Sequence, residues 1–243
     1  GPLRRTTVVT RDAWSRLLFD MADDSPVGEV LSVVVPAVLD ERFVVPRGSR
    51  PAISAGSEAG EDLRVARSFA RASSILRVEP IALHLSPEWG GLVEVVPHLR
   101  RGSRLGKLAL SGRSERELAF LAARHLAYFR EEFYIALLVP DWRWLADVFQ
   151  AALAVGNPDH PLAGSFTVPR VVESLKAILG QRSIDLLRQL SLRVAEANDR
   201  VDVSRWALSV ERKCAQAGLL LSGDLKAAEA VFALEVGDPE LAL

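Results

Sequence analysis

The side chains in this sequence that are suited to metal chemistry are few and scattered. The 243 residues include one cysteine and four histidines, namely His84, His98, His125 and His160. Hydrolysis by zinc requires three protein ligands, an open position for water and a general base. Two histidines spaced three or four residues apart on a helix would supply two of these ligands, and no pair in this sequence has that spacing. The histidines therefore predict four unrelated side chains and no metal site.

Other catalytic signatures are also missing from the sequence. Residues 56–60 read Gly-Ser-Glu-Ala-Gly, which is not the order of a nucleophile elbow. Neither a phosphate-binding loop nor the glycine pattern of a dinucleotide-binding turn occurs. Cys214 lies in an apolar helical stretch, a setting typical of a core cysteine and not of a nucleophile. No cofactor is predicted, and a hydrolase with an unrecognised site is kept as the second alternative.

The hydrophobic pattern predicts an α+β chain that is mainly helical. Three short aliphatic runs, 81–85, 92–96 and 105–110, are separated by turn residues and predict a small antiparallel sheet or meander. Ser114 and Glu117 form a capping-box signature, which predicts the start of a helix. Apolar residues at helical spacing predict the other helices, at two places within 10–39 and then at 61–77, 130–139, 142–155, 169–179, 183–197, 203–221 and 225–233.

Composition limits the classes of partner. Lys+Arg total 30 and Asp+Glu total 31, giving a formal net charge of −1. This balance provides no general attraction to nucleic acid or to an anionic membrane. Runs such as 33–39 and 134–139 are far shorter than the roughly 20 apolar residues that span a bilayer. We therefore expect neither nucleic-acid binding nor membrane insertion, and the single cysteine favours a reducing, cytoplasmic location.

Two helical segments carry a resemblance to a known family. The segment 111–130 and the sheet predicted before it resemble the active-site helix of gluzincin zinc peptidases, which carries His-Glu-x-x-His. At the matching positions, Arg124 and Tyr128 stand where the two zinc-binding histidines would be, and His125 stands in place of the catalytic glutamate. The segment 206–218 resembles the later peptidase helix, with Glu211 at the third ligand position and Ala215 in place of a supporting aspartate.

The resemblance covers about residues 64–234 and extends to modules attached to bacterial tetratricopeptide-repeat proteins. It implies a catalytically inactive peptidase-like module, with no metal, used for protein interaction or regulation within a larger protein. Its partner would be another protein or another domain of the same polypeptide. The first alternative is a structural helical extension of a repeat scaffold. One hypothesis is that Arg124, in the vacated zinc position, forms an ion pair with Glu211. The alternative is that both side chains are solvated and apart.

The sequence also indicates a domain organisation and one further contact. Residues 1–3 are typical of a cleaved purification tag, which would make the chain part of a longer protein. Residues 4–60 are expected to form N-terminal helices and a flexible loop, and 61–243 the peptidase-like domain, with both parts in one compact unit. Trp142 and Trp144, two residues apart at a helix start, cannot face the same core, so one of them is a possible partner contact. The alternative is that both are buried between packed helices.

Overall fold

The computed structural model describes residues 26–40, 42–43, 57–58, 63–96, 102–161, 166–197 and 201–236. In chain order, its elements are α1 (Val27–Val38), β1 (Ser57–Glu58), α2 (Leu63–Leu76), β2 (Ala82–Ser86), β3 (Val93–Val96), β4 (Gly102–Gly106), α3 (Lys107–Leu110), α4 (Glu115–Ala127), α5 (Tyr134–Leu138), α6 (Trp142–Gly156), α7 (Val168–Ile178), α8 (Gln181–Ala197), α9 (Val203–Ser222) and α10 (Leu225–Val236).

Contacts divide the chain into two compact units that alternate along the sequence. The described residues of 53–130 and 211–243 belong to the first unit, and those of 20–52 and 131–210 belong to the second. The tag remnant expected at 1–3 and the first helix expected in 10–39 lie outside the described residues. The domain boundary expected after residue 60 stays a prediction.

The α+β, mainly helical class is confirmed, but two details of the sheet prediction were wrong. The sheet is mixed, in the order β1-β2-β4-β3, with β2 parallel to β4 and the other pairs antiparallel. The third aliphatic run is also divided: residues 102–106 form β4, and 107–110 form the short helix α3. In addition, β1 lies in a stretch expected to be loop.

The connection between β2 and β3 explains why the sheet is not a meander. Neighbouring strands are about 4.8 Å apart, so six residues easily reach across one strand. The connection passes over the end of β4, where the backbone N–H of Gly106 donates to Leu92 and that of Lys107 donates to Trp89. A Cβ on Gly106 would lie 2.2 Å from the carbonyl oxygen of Gly91. Glycine at the end of β4 therefore permits a crossing that hydrophobicity alone does not predict.

In the first unit, α4 packs against both α2 and α10. The predicted capping box is present: Ser114 Oγ accepts from the backbone N–H of Glu117, and the Glu117 carboxylate accepts from that of Ser114. The helix also approaches α9 closely, because a Cβ on Gly218 would lie 2.7 Å from the Phe120 ring. Three helices thus fix the position of α4.

In the second unit, α1 contacts α5, α6, α7 and α8. One side of α1 is fully buried, at Val27, Val30, Leu31 and Val34. Helix α6 also packs on α7 and α8, and Gly156 allows the backbone of α8 to come close. Helix α5 is shorter than predicted, because residues 131–133 form turns. None of the described helices is long and apolar enough to cross a membrane.

Candidate functional site

Helix α4 directs Arg124 and His125 to different surroundings. Successive residues of an α-helix are rotated by about 100°, so neighbours in sequence face different elements. His125 faces the sheet and α2, whereas Arg124 faces α10. These two environments, the His125 site and the Arg124 cluster, contain the positions that the sequence singled out.

The His125 site is a buried hydrogen bond enclosed by aromatic rings. His125 Nε2 lies 2.6 Å from Oγ of Ser103 on β4. The imidazole ring meets Phe69 of α2 and Phe129 edge-on, with centroids 6.3 and 5.4 Å away. Ser103 is 0% exposed and His125 is 5% exposed. This bond therefore joins α4 to the central part of the sheet.

The environment of His125 keeps its imidazole neutral. Burial, and next the positive charge of Arg124, lower the pKa of His125 to about 3. A serine and a neutral histidine in hydrogen-bond contact have the geometry of a nucleophile and its base. Because both side chains are buried, a substrate has no approach to the serine oxygen in this conformation. The arrangement acts as a structural cross-link.

Arg124 forms an ion pair with Glu235 of α10, whose carboxylate accepts a hydrogen bond from Nη1. The guanidinium carbon also lies 4.7 Å from the centroid of the Phe232 ring. The two charged side chains are only 13% and 22% exposed. Burial is the largest effect on the pKa of Arg124 and lowers it, but the charges of Glu235 and its neighbours outweigh burial and raise the pKa. Arg124 is therefore a fixed cation.

Tyr128, Glu211 and Cys214 complete the Arg124 cluster. Burial raises the pKa of the Tyr128 hydroxyl, and the neighbouring Cys214 and Glu211 raise it further. Burial also raises the pKa of the Cys214 thiol well above its ordinary value. Both groups are consequently neutral near pH 7. The charge of Glu211 affects the pKa values of Arg124, Tyr128 and Cys214 alike, so the three side chains lie within reach of its charge.

The hypothesis of an ion pair between Arg124 and Glu211 named the wrong partner, and the alternative of a solvated Arg124 is also not what the structure shows. Arg124 pairs with Glu235, while Glu211 is exposed on α9 and influences Arg124 only through its charge. The geometry explains the choice: α10 packs directly on α4 and carries both Glu235 and Phe232 to the guanidinium. Ala215, the position of the absent aspartate, is half-buried on α9.

Two residues of the site, Ser103 and Glu235, had no clear signal in the sequence. Ser103 lies among the turn residues expected between the second and third aliphatic runs, and Glu235 lies beyond the predicted end of the last helix. Trp142 is 48% exposed and Trp144 is 8% exposed, so the two tryptophans do face different environments. A partner contact at Trp142 stays a prediction.

The chemistry of the Arg124 cluster differs from that of a metal site. A guanidinium stays protonated and does not ligate a cation. Within the described ranges, no group of three His, Cys, Asp or Glu side chains is arranged to hold a metal ion. Comparisons with protein-family profiles, with curated proteins and with solved structures found no match for this chain.

Proposed function

We propose that this chain is a catalytically inactive peptidase-like module that binds a protein partner, or another domain, within a larger cytoplasmic bacterial protein. One observation carries the proposal. Arg124, Tyr128 and Glu211, the positions at which the resemblance places the zinc ligands, lie within one cluster, and Arg124 forms an ion pair there. The order of small sheet, helix α4 and later helix α9 also agrees with the resemblance.

The ion pair gives a physical reason for inactivity. A zinc ion in a peptidase links two helices through its ligands, and here a charge-assisted hydrogen bond links α4 to α10 instead. The fixed charge of Arg124 would repel a divalent cation. The general-base position is equally unsuited to catalysis, because His125 is buried and bonded to Ser103. A module that retains this architecture without catalytic groups is suited to binding.

The resemblance is tested by rebuilding the metal site. In the variant R124H/Y128H/E235Q, the resemblance would place two histidines, one helical turn apart, opposite Glu211. The glutamine removes the Glu235 carboxylate, which would otherwise have lost its partner Arg124. We expect the purified variant to bind about one zinc ion per chain, as three ligands suffice for a site with bound water. Zinc is measured by elemental mass spectrometry after dialysis and by titration calorimetry.

A matched control adds E211Q to the same variant. Loss of the third ligand is expected to weaken zinc binding by at least about tenfold. Circular dichroism confirms that both variants are folded. A folded R124H/Y128H/E235Q protein that binds no zinc would show that the motif placement is wrong.

Inactivity of the natural chain is tested separately. We expect no stoichiometric zinc and no cleavage of a casein substrate, followed by mass spectrometry with and without added zinc. Zinc-dependent cleavage, or one tightly held zinc ion per chain, would support an active hydrolase instead. If the chain is inactive and also binds no peptide or neighbouring domain, the structural-extension alternative is the better account.

A further inference from the structure

Three arginines of α2 share one side of the helix. Arg64, Arg67 and Arg71 are spaced three and four residues apart, which brings their side chains to neighbouring turns of the same face. All three are exposed. The opposite side of α2 carries the buried residues Val65, Phe69 and Leu76, so the helix is amphipathic, with arginines on its outer face.

These arginines line a groove between α2 and α4, here named the arginine groove. Its volume is about 190 Å³, and Leu221 of α9 also contributes to the lining. The apolar part of the lining consists of Ala72 and Leu118, which are buried, and Ala119 and Leu221, which are half-buried. The groove thus combines a small apolar surface with a positively charged rim.

The charge of this rim is only partly compensated. Arg64 donates a hydrogen bond to the backbone carbonyl of Arg113, 3.1 Å away. For Arg67 and Arg71, no ion pair or side-chain hydrogen bond is formed with any residue in the described part of the chain. Glu115 is the one carboxylate among the described lining residues. Arg67 and Arg71 against the single carboxylate of Glu115 leave the described part of the rim positively charged, which favours an anionic ligand.

We infer that the arginine groove binds an acidic segment of the partner protein, in which carboxylates flank an apolar side chain. The inference rests on the proposed function and names the chemistry of its partner. Guanidinium groups pair well with carboxylates, and the apolar lining accepts the side chain between them.

The groove favours a peptide over other anions. Sites for small molecules usually measure roughly 300–1,000 Å³, whereas this groove, at about 190 Å³, accommodates one or two side chains. None of the described lining residues is aromatic, so this part of the groove offers no stacking surface of the kind on which single-stranded nucleic acids rely. The net charge of the chain, −1, likewise gives no general affinity for polyanions.

The inference is tested with a fluorescein-labelled peptide of sequence Gly-Glu-Glu-Leu-Glu-Glu-Gly, followed by fluorescence anisotropy. The matched peptide has glutamine in place of every glutamate, and a labelled single-stranded oligothymidylate of equal charge serves as a nucleic-acid probe. We expect the intact chain to bind the acidic peptide best, with an affinity that falls as salt is added.

The variant R67E/R71E reverses the charge at the two arginine positions and is expected to weaken binding of the acidic peptide by at least about tenfold. R170E/R182E is the matched control, because it changes the net charge equally at two exposed arginines of α7 and α8. This control is expected to change the affinity less than about twofold. Thermal unfolding checks that both variants remain folded.

Each contrary outcome overturns a defined part of the inference. Absence of acidic-peptide binding, or equal loss in both charge-reversal variants, overturns the groove as the site. Tighter binding of the oligothymidylate overturns the choice of peptide as ligand. Binding of the glutamine peptide that is unaffected by R67E/R71E overturns the groove but leaves the proposed function standing, whereas cleavage of either peptide overturns the proposed function itself.

Discussion

The two sides of α4 are stabilised by different kinds of polar contact. On one side, His125 and Ser103 form a neutral hydrogen bond that is almost fully buried. On the other, Arg124 and Glu235 form an ion pair that retains some exposure. Burial of a neutral, hydrogen-bonded pair costs little free energy. Burial of a charged pair is tolerated only while both partners are present, because removal of one leaves the other charge unpaired. The comparison explains how one helix carries two polar residues in succession within a well-packed unit.

The two sides also respond differently to pH and to mutation. Arg124 stays charged over the whole accessible pH range. His125 is neutral in the fold and ordinarily becomes protonated near pH 6.5, so its side of the helix is sensitive to acid. The predictions below separate these contributions by the free energy of unfolding, in order of decreasing effect.

Removal of Arg124 is expected to have the largest effect. Arg124→Ala leaves the Glu235 carboxylate mostly buried and without its ion-pair partner, which we expect to lower the free energy of unfolding by about 3 kcal/mol. Urea denaturation at pH 7 measures the change. The double variant R124M/E235M removes both charges and is expected to return to within about 1 kcal/mol of the natural chain. A double variant as unstable as R124A would show that packing, and not the unpaired carboxylate, is responsible.

Acid is expected to act through His125. Its pKa is lowered to about 3 in the fold, so the unfolded chain binds the extra proton between about pH 6.5 and 3. Stability is present above pH 6.5 and is lost as the pH falls, by roughly 2 kcal/mol between pH 7 and 5.

The variant H125Q supplies the control for this loss, because glutamine cannot be protonated and its amide can still reach Ser103. Its stability is expected to change little between pH 7 and 5. Ordinary carboxyl groups titrate below that range and affect both proteins alike. An equal loss of stability in H125Q and the natural chain would assign the acid sensitivity to other groups.

Loss of the Ser103 hydroxyl is expected to have a smaller effect. Ser103→Ala leaves the buried Nε2 of His125 without its hydrogen-bond partner, and we expect a loss of about 1.5 kcal/mol. Ser86→Ala is the matched control: Ser86 is also buried in the same sheet, but its Oγ has no hydrogen-bond partner in the described structure. The free energies of unfolding of the two variants should differ by at least about 1 kcal/mol. Equal losses would mean that the hydrogen bond contributes little.

The smallest effect is expected for a second ion pair on α4. Arg116 pairs with Asp224 at 2.8 Å, but the arginine side chain is 67% exposed. Arg116→Ala should therefore cost no more than about 0.5 kcal/mol, and less in high salt. This is the same substitution on the same helix as R124A. Similar costs for the two variants would show that burial does not distinguish the two ion pairs.

Much of the helical structure could be read from sequence because its signals are local. The periodic apolar residues of α6, α7, α8 and α9 gave their bounds to within two residues. The capping box of α4 also depends on only four consecutive residues, and it forms as predicted. The exposed and buried tryptophans at the start of α6 follow from helical geometry in the same way.

Other features depend on contacts between segments distant in sequence. The strand order required the crossing over Gly106, which no strand pattern encodes. The choice of Glu235 over Glu211 required α10 to pack beside α4. The arginine groove had a partial signal, the spacing of Arg64, Arg67 and Arg71, but most of its apolar lining comes from two other helices, α4 and α9.

The sequence by itself determined that this chain is mainly helical, where α4 begins, and that no pair of histidines is spaced to bind zinc from one helix. These properties follow from periodicity, capping and side-chain inventory, which act over a few residues. Only the tertiary structure decided that His125 is neutral and bonded to Ser103, and that Arg124 is held by Glu235. Burial and charge at these positions are set by elements 22 and 111 residues away in sequence.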